Sequence, residues 1–155
     1  MSSNLDGGRI NTMYRISVRA IIEHDGKFLL VKHRADSTFW CLPGGGLEEG
    51  ENVLSALERE LIEETHVKPV IGNLIYIHQV KQDDGYTAPG LYFHIKNAED
   101  YLNHNIYDSS HGKHEIAEID WFDITKVTVL PKFLATELPD ISKNGFNIPA
   151  RVKFD

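Results

Sequence analysis

The strongest constraint on this chain is a run of glycines that leads directly into an amphipathic, acidic segment. Residues 39–51, FWCLPGGGLEEGE, contain Pro43 and the run Gly44–Gly46, which predicts an irregular loop. Residues 52–64, NVLSALERELIEE, carry apolar side chains at helical spacing, and Asn52 is a suitable N-cap. The sequence therefore predicts a glycine loop that continues into a helix.

Three carboxylates share one face of the predicted helix. At about 100° per residue, Glu60, Glu63 and Glu64 fall within an arc of roughly 100°. They overlap the edge of the apolar stripe, whereas the acids of a merely solvated face would lie opposite it. Their mutual repulsion would be relieved by a divalent cation such as magnesium, which prefers oxygen ligands. The helix alone leaves open whether this face binds a metal or is a plain acidic flank.

The glycines before the helix favour a binding role. Because they lack side chains, Gly44, Gly45 and Gly46 let the backbone come close to a ligand or an ion. The loop also runs straight into the helix, so its carbonyl groups are expected near the carboxylates. A tight connector would use the same glycines, and the loop alone does not distinguish the two interpretations.

Composition limits the classes of partner and compartment. The net charge of −7 argues against binding to bulk nucleic acid, although a divalent cation can bridge an acidic protein and an anionic substrate. The single cysteine, Cys41, excludes an internal disulfide and a Cys-rich zinc site, and it fits a reducing, cytoplasmic compartment. No apolar run approaches the roughly 18–20 residues of a membrane span, so we expect no membrane partner.

The rest of the chain predicts strands on both sides of the helix. Runs of β-branched and aromatic residues indicate strands at 15–22, 27–32, 72–80, 90–95 and 119–124. A short helix is predicted at 130–138, a loop at 36–51 and another at 98–114, and the last dozen residues have no assignment. The alternation predicts an α/β fold with a mixed β-sheet.

Residues 45–67 resemble the Nudix box, Gly-x5-Glu-x7-Arg-Glu-U-x-Glu-Glu-x-Gly-U, in which U is aliphatic. Gly45, Glu51 and the segment RELIEETHV at 59–67 match eight of its nine specified positions. The ninth is His66, which stands where the box has a glycine that we expect to end the helix in a left-handed conformation; histidine tolerates positive φ at a cost. The resemblance implies a Nudix-type α/β/α sandwich over 13–140. Residues 1–12 lack an apolar stretch and are interpreted as a flexible leader, and 141–155 as a C-terminal tail.

The resemblance also implies an activity and its catalytic groups. Nudix enzymes hydrolyse a phosphoanhydride bond in a nucleoside diphosphate linked to another moiety, by attack of water on phosphorus, usually with Mg²⁺ or Mn²⁺. The implied metal-binding residues are Gly44 through its carbonyl, Glu60, Glu63, Glu64 and a later loop acid, Glu115, with Glu118 as second choice. Arg59 would orient a helix carboxylate, and Glu51 would support the junction of loop and helix. The general base stays open among Glu60, Glu63 and Glu115.

The expected partner is a small nucleotide-type substrate whose identity the sequence leaves open. Candidate contacts to its phosphate or base are Arg19, Arg34, Trp40, Gly45 and Tyr86, each of which also has an ordinary structural explanation. Relatives in the family often form homodimers, and the sequence leaves this open as well. A zinc site built from His104, His111 and His114 is not expected, because no further ligand completes a zinc pattern.

An alternative is a catalytically weak Nudix-fold module that binds or senses a nucleotide. The departure at His66 is its only support in the sequence, and the three clustered glutamates argue against it. An acidic interaction domain without a ligand is a third hypothesis, which the glycine loop and the box spacing disfavour.

Overall fold

The computed structural model describes residues 14–103 and 116–155. Its strands are β1 Ser17–Ile21, β2 Glu23–His24, β3 Lys27–His33, β4 Asp36–Cys41, β5 Gly44–Gly46, β6 Ile71–Gln79, β7 Lys81–Gln82, β8 Gly85–Tyr86, β9 Gly90–Ile95, β10 Ile116–Phe122 and β11 Arg151–Phe154. The helices are α1 Val53–Thr65 and α2 Phe133–Asn144, with 3-10 turns at Ala98–Leu102 and Ile124–Lys126. The five strands predicted from the sequence are confirmed as β1, β3, β6, β9 and β10, with small shifts at their ends.

The central element of the fold is a mixed five-stranded sheet. Its order is β11-β6-β9-β1-β5, in which β9 and β1 run parallel, as do β11 and β6, while the other pairs are antiparallel. A second sheet has the order β10-β3-β2, with β4 paired to β3. None of the helices in the described ranges is long and apolar enough to cross a membrane.

The two main helices pack on opposite faces of the five-stranded sheet. On one face, Leu57 and Leu61 of α1 pack with Val18 of β1. On the other, Leu134 and Leu138 of α2 belong to the core of the opposite side. Because successive residues of a strand point to opposite faces, β1 and β9 supply side chains to both cores. The α/β sandwich with a mixed sheet is therefore confirmed.

Helix α1 has a defined signal at each end. The Asn52 side chain accepts from the Ser55 N–H at 2.8 Å and Ser55 Oγ accepts from the Asn52 N–H at 3.2 Å, which satisfies two amides of the first turn. At the other end, His66 adopts the left-handed conformation, with φ 60° and ψ 13°, and its N–H donates to the Ile62 carbonyl. The expected helix and its N-cap are confirmed, and histidine serves where the box pattern has glycine.

The loop predicted at 36–51 is wrong in two places. Asp36–Cys41 forms a strand on β3, and Gly44–Gly46 pairs antiparallel with β1, with Gly44 opposite Arg19. A Cβ on Gly44 would lie 2.0 Å from the Val18 carbonyl oxygen, and its φ is +141°. The glycines that indicated a loop are therefore what allows this close strand pairing.

The C-terminal part is more regular than predicted. Helix α2 covers Phe133–Asn144 rather than 130–138, and its buried face continues past Pro139 to Ile141. The unassigned end forms β11, which pairs in parallel with β6 at the edge of the sheet. The segment that we predicted as a tail thus contributes to a helix and to the sheet, while the domain boundaries themselves stay predictions.

Candidate active site

Two glutamates of α1 lie against the glycine strand. The Gly44 N–H donates to Glu64 Oε2 at 3.1 Å. Gly45 lies so close to Glu60 that an added Cβ would stand 2.4 Å from Glu60 Oε1. Both carboxylates are buried, with Glu60 8% and Glu64 6% exposed. Burying two like charges side by side is costly unless each has favourable partners, so this arrangement requires compensating donors or cations.

Arg59 is the principal cationic partner of this cluster. Its Nε and Nη2 donate to the two carboxylate oxygens of Glu51 at 2.8 and 3.0 Å, a bidentate pair. Its Nη1 donates to Glu60 Oε1 at 3.1 Å and to Glu63 Oε2 at 3.3 Å, while Nη2 also donates to the Gly46 carbonyl at 3.1 Å. Arg59 therefore ties the glycine strand, the segment before α1 and two helix carboxylates together.

The hydrogen bonds from Arg59 lower the pKa of Glu51. They are the largest cause of its shift to about 2 from an ordinary value of 4.5, with a further contribution from the Glu48 N–H, which donates to Glu51 Oε1 at 2.7 Å. Glu51 is therefore ionised throughout the neutral range, and its charge partly neutralises Arg59 at the junction of loop and helix.

Replacing Glu51 by Gln should remove a pH-dependent part of the stability. Because the pKa of Glu51 in the folded protein lies below its unfolded value, its ionised form stabilises the fold fully above about pH 4.5. This contribution is lost as the pH falls toward 2. We expect Glu51→Gln to melt below the wild type at pH 7 and the two melting temperatures to converge near pH 2. Thermal unfolding by circular dichroism between pH 7 and pH 2 checks this, and a gap independent of pH would contradict it.

The donor set at this site fits a hard divalent cation. Glu60, Glu63 and Glu64 offer carboxylate oxygens on one side of a helix, the ligand type that Mg²⁺ and Mn²⁺ prefer. In residues 14–103 and 116–155, however, no three His, Cys, Asp or Glu side chains are already grouped as a metal-binding set. Glu60 and Glu63 are turned to Arg59, and Glu64 to the Gly44 amide. The residues thus fit the ion by their chemistry and by their place on one side of the helix.

A cavity of about 710 Å³ is lined by residues of β1, β4, β6 and β9 and by the start of α2. Its apolar lining includes Phe39, Leu42, Leu130, Phe133 and Leu134. Arg19 also lines it and donates from Nη1 to the Leu42 carbonyl at 3.2 Å. Arg19 is paired with Gly44 in the sheet, and the Gly44 N–H donates to Glu64, so this strand pair links the cavity wall to the carboxylate cluster. The glutamates of α1 do not themselves line the cavity.

The structure brings Arg19 to this cavity but not the other predicted substrate contacts. Arg34 is exposed in the turn between β3 and β4. Trp40 is buried against Phe122 because its large ring fills the core. Tyr86 is exposed on β8, where its ring packs edge-on against Phe154. None of the three lines the cavity.

Other predicted residues have varied positions. Gly45 contacts Glu60 rather than the cavity. Glu118 is exposed on β10 opposite Lys32, and the Cys41 thiol lies at the cavity wall, 3.6 Å from the Val31 carbonyl oxygen. Glu115, together with His104, His111 and His114, lies outside the described residues.

Several polar residues of the cavity wall were not predicted from the sequence: Ser17, His33, His78, Lys132 and Asp155. His78 stands in the apolar run of β6, and a polar residue in such a run was a usable signal. Asp155 had none, because its strand was not predicted. Tyr92 of β9 also lines the cavity.

A family model described as the NUDIX domain matches residues 13–144. The chain belongs to the Nudix family. This confirms the resemblance drawn from the box and places the chain among the Nudix hydrolases, which act on acid anhydrides.

Curated relatives support the same family. This Nudix protein is 38% identical over 71 residues to an ADP-ribose pyrophosphatase of Methanocaldococcus jannaschii, covering 44% of this chain and 42% of that protein. It is 42% identical over 65 residues to the CTP pyrophosphohydrolase of Escherichia coli (strain K12), covering 40% of this chain and 48% of that protein. The matched segments thus span less than half the length of either relative.

A solved structure supports the fold. The solution structure of the E. coli ORF135 protein superposes with a TM-score of 0.64, covering 91% of this chain and all of that chain at 23% identity. At this level of identity the likeness shows a shared fold and nothing finer.

Proposed function

We propose that this Nudix protein hydrolyses a phosphoanhydride bond in a nucleoside diphosphate linked to another moiety, by attack of water on phosphorus. The observation that carries the proposal is the contact of Gly44 and Gly45 with the buried carboxylates of Glu64 and Glu60, on a strand that pairs with Arg19 of the cavity wall. A buried acidic cluster linked in this way to a nucleotide-sized cavity suits an ion-assisted reaction of an anionic substrate.

Glu60, Glu63 and Glu64 would hold Mg²⁺ or Mn²⁺, and the Gly44 carbonyl would be a further ligand. When bound, such an ion neutralises charge on the phosphate oxygens and makes a water more acidic. Arg59 keeps Glu60 and Glu63 oriented toward the glycine strand. A glutamate accepts the proton of the attacking water, and the candidates remain Glu60, Glu63 and Glu115.

The cavity would hold the nucleoside part of the substrate. The aromatic side chains of Phe39 and Phe133 offer surfaces for a planar base. Arg19 uses one N–H for the Leu42 carbonyl, which leaves guanidinium donors for a phosphate or a base carbonyl. The names of the two curated relatives, which refer to ADP-ribose and CTP, place such compounds first among the substrates to be tested.

A hydrolysis panel tests this function. Nucleoside triphosphates, ADP-ribose, nucleotide sugars, dinucleoside polyphosphates and NADH are incubated with the protein and Mg²⁺ or Mn²⁺, and the products are separated by chromatography. We expect one class to release a nucleoside monophosphate, with ¹⁸O from labelled water on one product phosphate. Saturable nucleotide binding without turnover under any metal would instead support the sensor module.

The sensor alternative gains no support from the helix end. It depended on His66 disturbing the box, yet His66 takes the left-handed conformation that caps α1 and bonds to Ile62. The carboxylates one turn earlier are therefore positioned on an intact helix.

A further inference from the structure

Three polar side chains form a hydrogen-bonded chain at the cavity wall, away from the carboxylate cluster. His78 Nε2 lies 2.8 Å from Asp155 Oδ2, and His78 Nδ1 lies 3.0 Å from the Tyr92 hydroxyl oxygen. All three residues line the cavity. His78 and Tyr92 are buried, with 7% and 5% exposed, so their side chains hydrogen-bond to each other rather than to bulk water.

Chemistry fixes the direction of these hydrogen bonds for a neutral imidazole. The ionised Asp155 carboxylate can only accept, so the ring proton lies on Nε2 and is donated to it. Nδ1 then carries a lone pair and accepts the proton of the Tyr92 hydroxyl. Burial raises the pKa of Tyr92 to about 12, which keeps that proton on the phenol at neutral pH.

The Tyr92 oxygen consequently has acceptor capacity left over. Its one proton is committed to His78, and within the described ranges no protein donor is hydrogen-bonded to the oxygen. The buried Tyr92 ring also contacts the rings of Tyr76, His78 and Phe133, so the position of its hydroxyl is fixed. A fixed, buried acceptor at the cavity wall discriminates for a ligand that brings a donor.

We propose that Tyr92 is a specificity-determining residue that accepts a hydrogen bond from the exocyclic amino group of the substrate's base, with His78 and Asp155 as positioning residues. Without Asp155, the His78 ring is free to carry its proton on Nδ1 and donate it to Tyr92. The hydroxyl would then present a proton to the cavity instead of a lone pair. The C-terminal strand thereby contributes to substrate choice through a residue two hydrogen bonds away from the ligand.

This inference rests on the proposed function for the location of the base, but its test reads binding as well as turnover. The ligands are nucleoside diphosphates compared in pairs that differ only in the amino group of the base. The pairs are adenosine with purine riboside, guanosine with inosine, and cytidine with pyrimidin-2-one riboside. Dissociation constants are measured by calorimetry, and kcat/KM is measured on the corresponding substrates where turnover occurs.

For at least one pair, we expect the wild type to bind the ligand that has the amino group about tenfold more tightly. This factor corresponds to one hydrogen bond, together with the cost of leaving the Tyr92 acceptor unpaired when the amino group is missing. Tyr92→Phe should bring the ratio close to one without loss of the fold. Asp155→Ala should lower the ratio too, while its backbone bonds to Lys81 and Gln79 keep β11 in place. The matched control is Arg151→Ala on the same strand, which breaks an ion pair with Glu137 at 2.7 Å but leaves the ratio unchanged.

A wild-type ratio near one for all three pairs, or an unchanged ratio in Tyr92→Phe, would overturn the assignment. If the affinity that depends on Tyr92 were lost with 2′-deoxy ligands and not with ligands that lack the amino group, Tyr92 would contact a ribose hydroxyl instead. That result would also overturn the assignment. Selective binding without hydrolysis would sustain this inference and refute the proposed function, so the two failures are distinguishable.

Discussion

Glu64→Gln should lower turnover by about 100-fold or more while the protein stays folded. The substitution removes the negative charge of a proposed metal ligand, and the ion stabilises the transition state by several kcal/mol. The amide oxygen of glutamine can still accept the Gly44 N–H, so the link between the glycine strand and α1 survives. Steady-state kinetics with the substrate identified by the panel measures the effect. We expect the same direction for Glu63→Gln, whose carboxylate is more exposed.

The matched control for Glu64→Gln is Glu58→Gln. Glu58 belongs to the same helix, and its recorded ion pair is a 3.8 Å contact with Lys68, remote from the glycine strand. This control should keep turnover within about twofold, as expected for a surface substitution. Near-normal turnover in Glu64→Gln, or an equal loss in Glu58→Gln, would remove the assignment of the helix carboxylates.

Gly44→Ala should destabilise the protein by about 3 kcal/mol or more, the largest stability effect that we expect at the site. The new methyl would stand 2.0 Å from the Val18 carbonyl oxygen and 2.9 Å from the Arg19 Cα, both backbone atoms that cannot move aside cheaply. The backbone at φ +141° is also unfavourable for alanine. Urea unfolding measures the loss, which should appear as a lower midpoint.

Gly50→Ala separates the two causes of this loss. Gly50 also has a positive φ, +83°, but a Cβ there would meet no atom within 4 Å. It should therefore cost only the backbone strain, about 1 kcal/mol. If Gly44→Ala were no more destabilising than Gly50→Ala, the close pairing of β5 with β1 would be incorrect.

Helix α1 could be predicted because its signals are local. The N-cap Asn52, the apolar spacing and the acids all lie within about four turns, and each acts on its own neighbours. Strand β5 could not be predicted in this way. A glycine run is compatible with many conformations, and the extended one is set by pairing with β1, a strand that is distant in sequence.

The cavity was less predictable than the carboxylate cluster for a similar reason. His78 and Asp155 are 77 residues apart in the chain and meet only because β11 pairs with β6. Conversely, Trp40 has the chemistry of a base-stacking residue, but the packing of its ring against Phe122 places it in the core. Residue type indicated candidates, and tertiary packing decided which of them face the cavity.

The most direct test of the central claim measures metal dependence and the helix carboxylates together. Turnover of the identified substrate is followed against Mg²⁺ and Mn²⁺ concentration in the wild type and in Glu64→Gln, and Mn²⁺ binding is followed by electron paramagnetic resonance. The account predicts no turnover in chelator, saturable recovery with added metal in the wild type, and weaker Mn²⁺ binding with little recovery in Glu64→Gln. Full turnover in chelator, or equal Mn²⁺ binding and turnover in both proteins, would contradict it.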